Sequence, residues 1–442
     1  MASTQITWNN GTNGNRQIWT WSFWVKRSKL GTEQCVWTTR YNGSNNHLFR
    51  FNANDTFTFK GANSASGTIM DLTSNEAYRD TSGWYHFVLA VDSTQSTAAD
   101  RAKVYVNGTQ ITSFATADYG AQNQSYEINE ANNQVFWIGS ENSQNYFDGC
   151  LSHVWFIDGT QYAASTFGET DSTTGEWKIK KDVSATMGTN GFQVLKDGSR
   201  ITDTSSNSNN FSSGGGTLTN TEDCPSNVFA TVNSLDGVSD SAPFANGNTT
   251  WSTSSTSHYF WGRSTIGASS GKYYFEAKLS SASSYNHIGI CDRAAEDATT
   301  TLESETYGWG YKNSDGQVYN NGSGTSYGNT FTTGDILGVA MDLDNNRLFF
   351  HKNGTYQNSG DPTSSTGAIT ITAPANTSTG NYFFVVSDNS SGDNVTWQCN
   401  FGNGTFGSTA VSSAGTNASG NGVFEYDVPT GYTALCTKGI NS

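Results

Sequence analysis

Along residues 19–26 apolar and polar side chains alternate. Trp19, Trp21, Phe23 and Val25 fall on one face of an extended chain; Thr20, Ser22, Trp24 and Lys26 fall on the other. Period two predicts a β-strand with one face in a core. Each tryptophan buried there removes roughly 150–250 Å² from water. Tyr85, Phe87, Leu89 and Val91 alternate in the same way with His86, Val88, Ala90 and Asp92. Residues 103–106 run into Asn107-Gly108 and on to 109–112, and an Asn-Gly pair between alternating runs predicts a tight hairpin. Residues 135–138 and 151–157 are further predicted strands, the second carrying His153 and Trp155 on one face and Val154 and Phe156 on the other.

The second half repeats the style. Tyr273, Phe275, Ala277 and Leu279 alternate with Tyr274, Glu276 and Lys278; residues 336–343, 347–352, 382–386 and 395–401 are predicted strands, and Asn353-Gly354 closes a hairpin. No amphipathic pattern of helical period runs beyond a turn or two. The chain therefore reads as all-β, with two antiparallel β-sandwiches. Its 442 residues suit two domains. The expected division is a first sandwich over 1–185, a Ser/Asn/Gly-rich connector over 186–235 and a second sandwich over 236–442. The connector holds Gly214-Gly215-Gly216, and its apolar residues Phe192, Val194, Phe211 and Phe229 are expected to pin it against the domains.

Composition narrows the partners. Aromatics at 13% with charged residues at only 14% favour packed domains over disorder. A net charge of −15 with no basic cluster makes the chain a poor ligand for nucleic acid or for an anionic membrane surface. No apolar run reaches membrane-spanning length, and residues 1–5 show no basic-then-apolar signal, so folding in a reducing cytoplasm is expected. Six cysteines form no Cys-x-x-Cys pair; Cys35, Cys150, Cys291 and Cys399 lie in or beside apolar runs and read as small buried hydrophobes.

Five blocks of the first half keep order and spacing: WTWSFWVKRS, RDTSGWYHFVLAVD, VYVNG, FDGCLSHVWFIDGT and STFGETDSTTGEWK. Together they resemble the laminin-G/concanavalin-like module of marine phage structural proteins. That family has a further strand before the tryptophan run, where this chain has only Thr7-Trp8 and a Gly/Asn loop. The first strand is therefore expected to be truncated or supplied by a neighbour, leaving an N-terminal sheet edge for another virion subunit. In the second half GKYYFEAKL, HIGICD, YGWGYKNSDGQVYNNG, GDILGVAMDLDNNRLFFHKNG and VTWQCNFG resemble a SPRY domain, a concanavalin-like sandwich used for binding without catalysis. CPSNVFATVNSLD and VPTGYTALCT resemble segments that recur in the same phage proteins.

The resemblance implies two concanavalin-like jelly rolls in a virion-surface protein assembled in the host cytoplasm. Its expected role is a tail-fibre or spike receptor-binding subunit recognising host surface glycan or protein. A capsid or tail decoration protein is the alternative, and a polysaccharide depolymerase is a less favoured third. Other virion proteins and further copies of the chain are the implied partners.

Concanavalin-like laminarinases use paired carboxylates on one strand, about 5.5 Å apart for retention or about 6.5–9.5 Å for inversion. Glu303 with Glu305 and Glu425 with Asp427 are the nearest pairs, and both read as solvated carboxylates; no catalytic residue is expected. Asp342-x-Asp344-x-Asn346 opens like a calcium loop but has Arg347 where Gly is needed and Asn353 where Glu is needed. Laminin-G modules sometimes hold calcium at the rim, where Asp148 or Asp158 would serve, but the sequence singles out no site and no cofactor is expected. His86 and His153 read as hydrogen-bonded sheet residues. Sugar recognition needs aromatic faces beside amide and carboxylate groups. Tyr41 with Asn42 and Asn45, Tyr126 with Gln122 and Asn123, and Tyr146 with Asn142 and Asn145 fit that description in the first half. Tyr307, Tyr319 and Asn321 fit it in the second, while Trp309 reads as core. The competing reading of each tyrosine is a ring packed over the base of a loop.

Overall fold

In the computed structural model the tryptophan-rich run is strand Ile18–Arg27, inside a six-stranded sheet ordered Phe192–Val194, Gly149–Asp158, Ile18–Arg27, Tyr85–Asp92, Ala102–Val106, Thr109–Ile111. The structure describes residues 3–42, 45–131, 134–196, 201–236, 244–253, 260–293, 300–389 and 394–441, and of 41, 42 and 260 only the backbone. An eight-stranded sheet faces the first: Phe114–Asp118, Gly67–Ala77, Thr56–Asn63, Asn45–Phe51, Gln34–Asn42, Gln134–Ile138, Gln5–Asn10, Ser212–Gly215. Trp19, Trp21, Phe23 and Val25 are fully buried between the sheets, as the alternation requires. Trp21 stacks on Trp37 of the facing sheet, ring centroids 4.2 Å apart and planes 7° from parallel. At about 25 cal/mol per Å², burying one such ring stabilises the fold by roughly 4–6 kcal/mol.

The outer face of strand Ile18–Arg27 is buried too, which period two does not foresee. Residues 160–187 fold back over it. Thr20 donates its hydroxyl to the Thr160 carbonyl and receives the Tyr162 N–H. Trp24 stacks on His86 at 4.6 Å, and Trp177 lies beside that imidazole, ring centroids 6.0 Å apart. His86 is thus the hydrogen-bonded sheet residue the sequence suggested.

Two expectations are corrected. The first strand is neither truncated nor open. Strand Gln5–Asn10 pairs with Gln134–Ile138 on one side, and on the other the chain's own Ser212–Gly215 covers its edge. Residues 186–235 are also not a separate connector. Phe192–Val194 extends the six-stranded sheet, and Phe211 joins the first core. The Ser/Asn-rich turn between them is knotted around Asp203, whose carboxylate accepts from the N–H groups of Gln193, Ser205 and Asn209. From Thr221 onward the chain belongs to the second unit: Phe229 bridges to Cys436 and Val232 to Ser264. The division into compact units falls between Asn220 and Thr221. Composition suggested a linker because Ser, Asn and Gly also build hydrogen-bonded turns.

The second unit is again a pair of antiparallel sheets. One is centred on Lys272–Ser281, Ile336–Asp342, Arg347–Lys352 and Thr396–Asn400; the other runs Phe260–Arg263, Phe383–Asp388, Asn286–Cys291, Gly308–Lys312, Gln317–Asn320, Ser323–Ser326. Tyr273, Phe275, Ala277 and Leu279 enter its core. The opposite face, bearing Tyr274 and Phe349, is covered by Phe229, Phe424, Tyr432 and Cys436. Cys35, Cys291, Cys399 and Cys436 are buried thiols, and Cys150 is half-buried. Among the described residues no helix is long and apolar enough to cross a membrane.

Candidate functional site

Strand alternation sends His47, Phe49 and Phe51 inward and leaves Asn46, Leu48 and Arg50 on the outer face of the eight-stranded sheet. The neighbouring strand sends Phe57 and Phe59 inward and Thr58, Lys60 and Ala62 outward. Register sets Leu48 opposite Lys60, Asn46 opposite Ala62 and Asn63 opposite Gly67. These residues, with Arg50, Ser64, Thr68 and Glu141, line a groove of about 430 Å³. Leu48 and Ala62 give it an apolar strip; amides, hydroxyls and charges of both signs surround that strip.

One wall is fixed by a polar chain. Arg50 Nη1 donates to Glu33 Oε1 at 2.8 Å, and Asn145 Nδ2 reaches both Glu33 (2.9 Å) and Glu141 (3.1 Å). The Asn145 carbonyl accepts the Cys35 N–H at 2.7 Å, which anchors loop 139–147 to the sheet. On the opposite side Asn45 Oδ1 accepts the Ser64 N–H at 2.5 Å and shapes the turn above the groove.

The outer face continues past the groove. The register sets Thr7, Trp137, Thr38, Leu48, Lys60 and Asp71 in one row across six strands. Phe136 and Ile138 fill the core, so Trp137 between them points outward and is partly exposed. With strands about 4.8 Å apart, the backbone at Trp137 lies about 14 Å from that at Lys60. An aromatic face and a polar groove therefore share one sheet surface.

The sites expected from sequence divide. Asn45 supports the groove turn, whereas Asn142 and Tyr146 belong to the loop that carries Glu141, Tyr146 bridging to Cys35, and neither lines the groove. The side chain of Tyr41 lies outside the described residues. Tyr126 is a correction. It is fully buried, edge-on to Trp19 and His47, and cannot offer a face to a ligand. Asn123 is exposed in another loop, where its backbone bonds Ser93 and Gln17, and it does not line the groove. Arg50, Lys60, Glu141 and Trp137 were missed. The alternation of NHLFRF and TFTFK carried a signal for outward residues, but their meeting depends on register.

In the second unit Tyr307 is half-buried against the core, and Asn321 is exposed in a turn. Tyr319 belongs to a tight cluster. Lys312 Nζ sits 4.6 Å from the ring centres of both Tyr319 and Tyr285, and 2.9 Å from Glu303. Burial would raise the Glu303 carboxyl, but His287 at 2.9 Å and Lys312 together hold it down at about 2. Glu305 is buried, and Arg293 forms a fork with it. Glu305 is buried and Glu303 half-buried, so only Glu303 keeps part of the solvent contact the sequence suggested, and each is held by its own cation. Glu425 caps Ser412 and Asp427 caps Thr416. In the first unit Asp158 receives N–H groups from Asn15, Asn129 and Asn190, so its oxygens face donors. Among the described residues no cluster of three or more His, Cys, Asp or Glu side chains is arranged to hold a metal ion.

Residues 1–165 match a family model described as the concanavalin A-like lectin/glucanases superfamily, of laminin-G type, and residues 272–404 match the SPRY domain. A laminin-G/concanavalin-like domain is thus followed by a SPRY domain. The chain is 38% identical over 81 residues to zebrafish (Danio rerio) Ran-binding protein 9, covering 18% of this chain and 14% of that protein. It is 36% identical over 81 residues to the Drosophila melanogaster Ran-binding proteins 9/10 homolog, covering 18% of this chain and 8% of that protein. The chain therefore spans only about a seventh of the length of the first of these relatives. Among solved structures, the SPRY domain of human HERC1 is 17% identical at a TM-score of 0.29, covering 36% of this chain and 91% of that one.

Proposed function

We propose that the protein is a non-enzymatic receptor-binding subunit on a virion surface, of tail-fibre or spike type, which holds host surface glycan on the outer face of its first domain. The observation that carries this reading is the combination on one sheet face of outward Trp137 and the polar groove between Asn46, Arg50, Lys60 and Asn63. Sugars present apolar faces and hydroxyl rims, and a flat indole beside fixed amides and charges complements both. The phage-like blocks of the first half supply the virion context. The SPRY domain, similar to parts of proteins named for Ran binding, supports a binding role for the second half. The tethering of Glu303, Glu305, Glu425 and Asp427 supports binding without hydrolysis.

The test is adsorption. Virions carrying Trp137→Ala together with Ala62→Arg, which fills the groove, should adsorb to host cells at least tenfold more slowly while assembling normally. Purified wild-type protein should compete with adsorption and the double variant should not. Unchanged adsorption with fragile particles would instead favour the decoration role. Release of reducing ends from host polysaccharide would overturn the non-enzymatic reading.

A further inference from the structure

A carboxyl group without a cation lies inside the second unit. Glu276 is fully buried, and the groups that meet its two oxygens are neutral donors. Oε1 accepts the Tyr274 hydroxyl at 2.8 Å and the Tyr426 N–H at 2.9 Å. Oε2 accepts the Glu425 N–H at 2.9 Å and the Asn400 amide at 3.4 Å. The other titratable groups facing it are His351 behind Tyr274, the Tyr356 and Tyr426 phenols, and the Glu425 side chain, which turns onto Ser412. The two backbone donors belong to a strap laid over the sheet. None of residues 408–423 is buried. Phe424, edge-on to Tyr274 at 4.9 Å, the bond of the Val423 N–H to the Gly402 carbonyl, and the grip of Glu276 hold the strap down.

Burying an unpaired carboxylate penalises its charge, and neutral donors offset only part of that. Burial therefore pushes the Glu276 carboxyl up to about 7, against about 4.3 in water. Burial also holds His351 down at about 3, so the imidazole stays neutral between those values. The bonds supply a route for the proton. His351 Nδ1 accepts the N–H of exposed Gly354 at 3.2 Å, and Nε2 lies 2.6 Å from Tyr274 Oη. A proton taken up at Nδ1 releases Gly354. Nε2 passes its own proton to Tyr274 Oη, and Tyr274 passes its proton to Glu276 Oε1. The imidazole ends neutral, its proton moved from Nε2 to Nδ1. The strap amides keep their acceptors, and the buried charge is gone.

We propose that residues 408–428 form a proton-controlled strap, gripped by Glu276 in its neutral form and loosened when it ionises. Lifting the strap lets water reach the carboxylate, so the lifted state binds the proton less tightly. The grip is complete below about pH 4.3 and is lost as pH rises through 7.

Hydrogen exchange of the intact protein tests this, read as protection factors so that the pH dependence of free amides is divided out. From pH 5 to 8 the Glu425 and Tyr426 amides should lose protection at least about tenfold, while staying less protected than strand Ile336–Asp342 at each pH. In Glu276→Gln the loss should vanish. Over the same range the histidine nitrogen shifts should show the His351 proton moving from Nδ1 to Nε2. Tyr274→Phe should abolish that movement and leave the strap responsive to pH. Flat strap protection, an equal loss in Glu276→Gln, strap protection equal to that of Ile336–Asp342, or a His351 tautomer that does not change in the wild-type protein overturns the proposal.

Discussion

His86 shows how one residue couples the core sheet to what covers it. Trp177 Nε1 only donates, and it donates to His86 Nδ1 at 3.0 Å. The ring proton must then sit on Nε2, 2.8 Å from Ser22 Oγ. A second proton on Nδ1 would set N–H against N–H. Burial, with a smaller contribution from His153, pushes the imidazole down to about 3. In the unfolded chain it returns to the ordinary value near 6.5. Between those values the unfolded state binds the extra proton. Stability from this group is therefore complete above about pH 6.5 and is lost as pH falls toward 3. Fully buried His47 acts in the same direction. The first unit should lose stability by up to about 1.4 kcal/mol per pH unit per histidine in that window. His86→Gln should flatten the decline by about half. Urea titrations at pH 7, 6, 5 and 4, read by hydrogen exchange in strand Tyr85–Asp92, test this; an unchanged slope in the variant would contradict it.

At the scale of elements, both sandwiches place a buried histidine opposite a glycine on the adjoining strand. His47 pairs with Gly61 and His351 with Gly338. A Cβ at either glycine would collide with the imidazole. His351 has little room to yield. Its Nδ1 accepts the Gly354 N–H, its Nε2 lies 2.6 Å from Tyr274 Oη, and that hydroxyl donates to Glu276. Glu276 in turn accepts the N–H groups of Glu425 and Tyr426. Bonds that converge on Glu276 from both sides thus join the Asn353-Gly354 turn to the C-terminal segment. Gly338→Ala should cost about 1–3 kcal/mol, and Gly61→Ala a similar amount. Gly11→Ala, where a Cβ meets nothing within 4 Å, should cost little and serves as the control in thermal unfolding. The hairpins themselves were legible: Asn107-Gly108 and Asn353-Gly354 are left-handed turns where the dipeptides predicted them. The glycine-histidine pairs were not, nor was the groove. Both depend on register between strands, and alternation states which way a residue points, not which neighbour it meets. Thr7-Trp8 alone suggests a truncated or borrowed strand, and the partners that complete Gln5–Asn10 lie some 130 and 200 residues further on.

For the whole molecule the question is where one folding unit ends. Two separate hydrophobic cores, one around Trp19, Trp21 and Trp37 and one around Trp251, Phe275 and Trp397, are the physical basis for two domains. Composition located the boundary region, yet the polar stretch it marked is divided between the two. Residues 186–220 contribute strand Phe192–Val194, the buried Phe211 and the strand that covers Gln5–Asn10. Residues 221–236 contribute Phe229, Ala230 and Val232 to the second unit's interior. A chain cut at residue 185 would expose the edges of Gly149–Asp158 and Gln5–Asn10 and remove three fully or nearly buried large side chains, Phe192, Val194 and Phe211. Losing even one phenylalanine from a packed core costs about 3–5 kcal/mol, comparable to much of a domain's total stability. Fragments 1–220 and 221–442 should therefore each express as folded protein with a cooperative thermal transition. Fragment 1–185 should aggregate through its bared strand edges, and 236–442 should melt at least 10 °C below 221–442. Dispersed amide spectra of 1–185, or equal melting of the two C-terminal fragments, would show that the Ser/Asn/Gly-rich stretch is a linker after all and that its buried aromatics contribute little to either core.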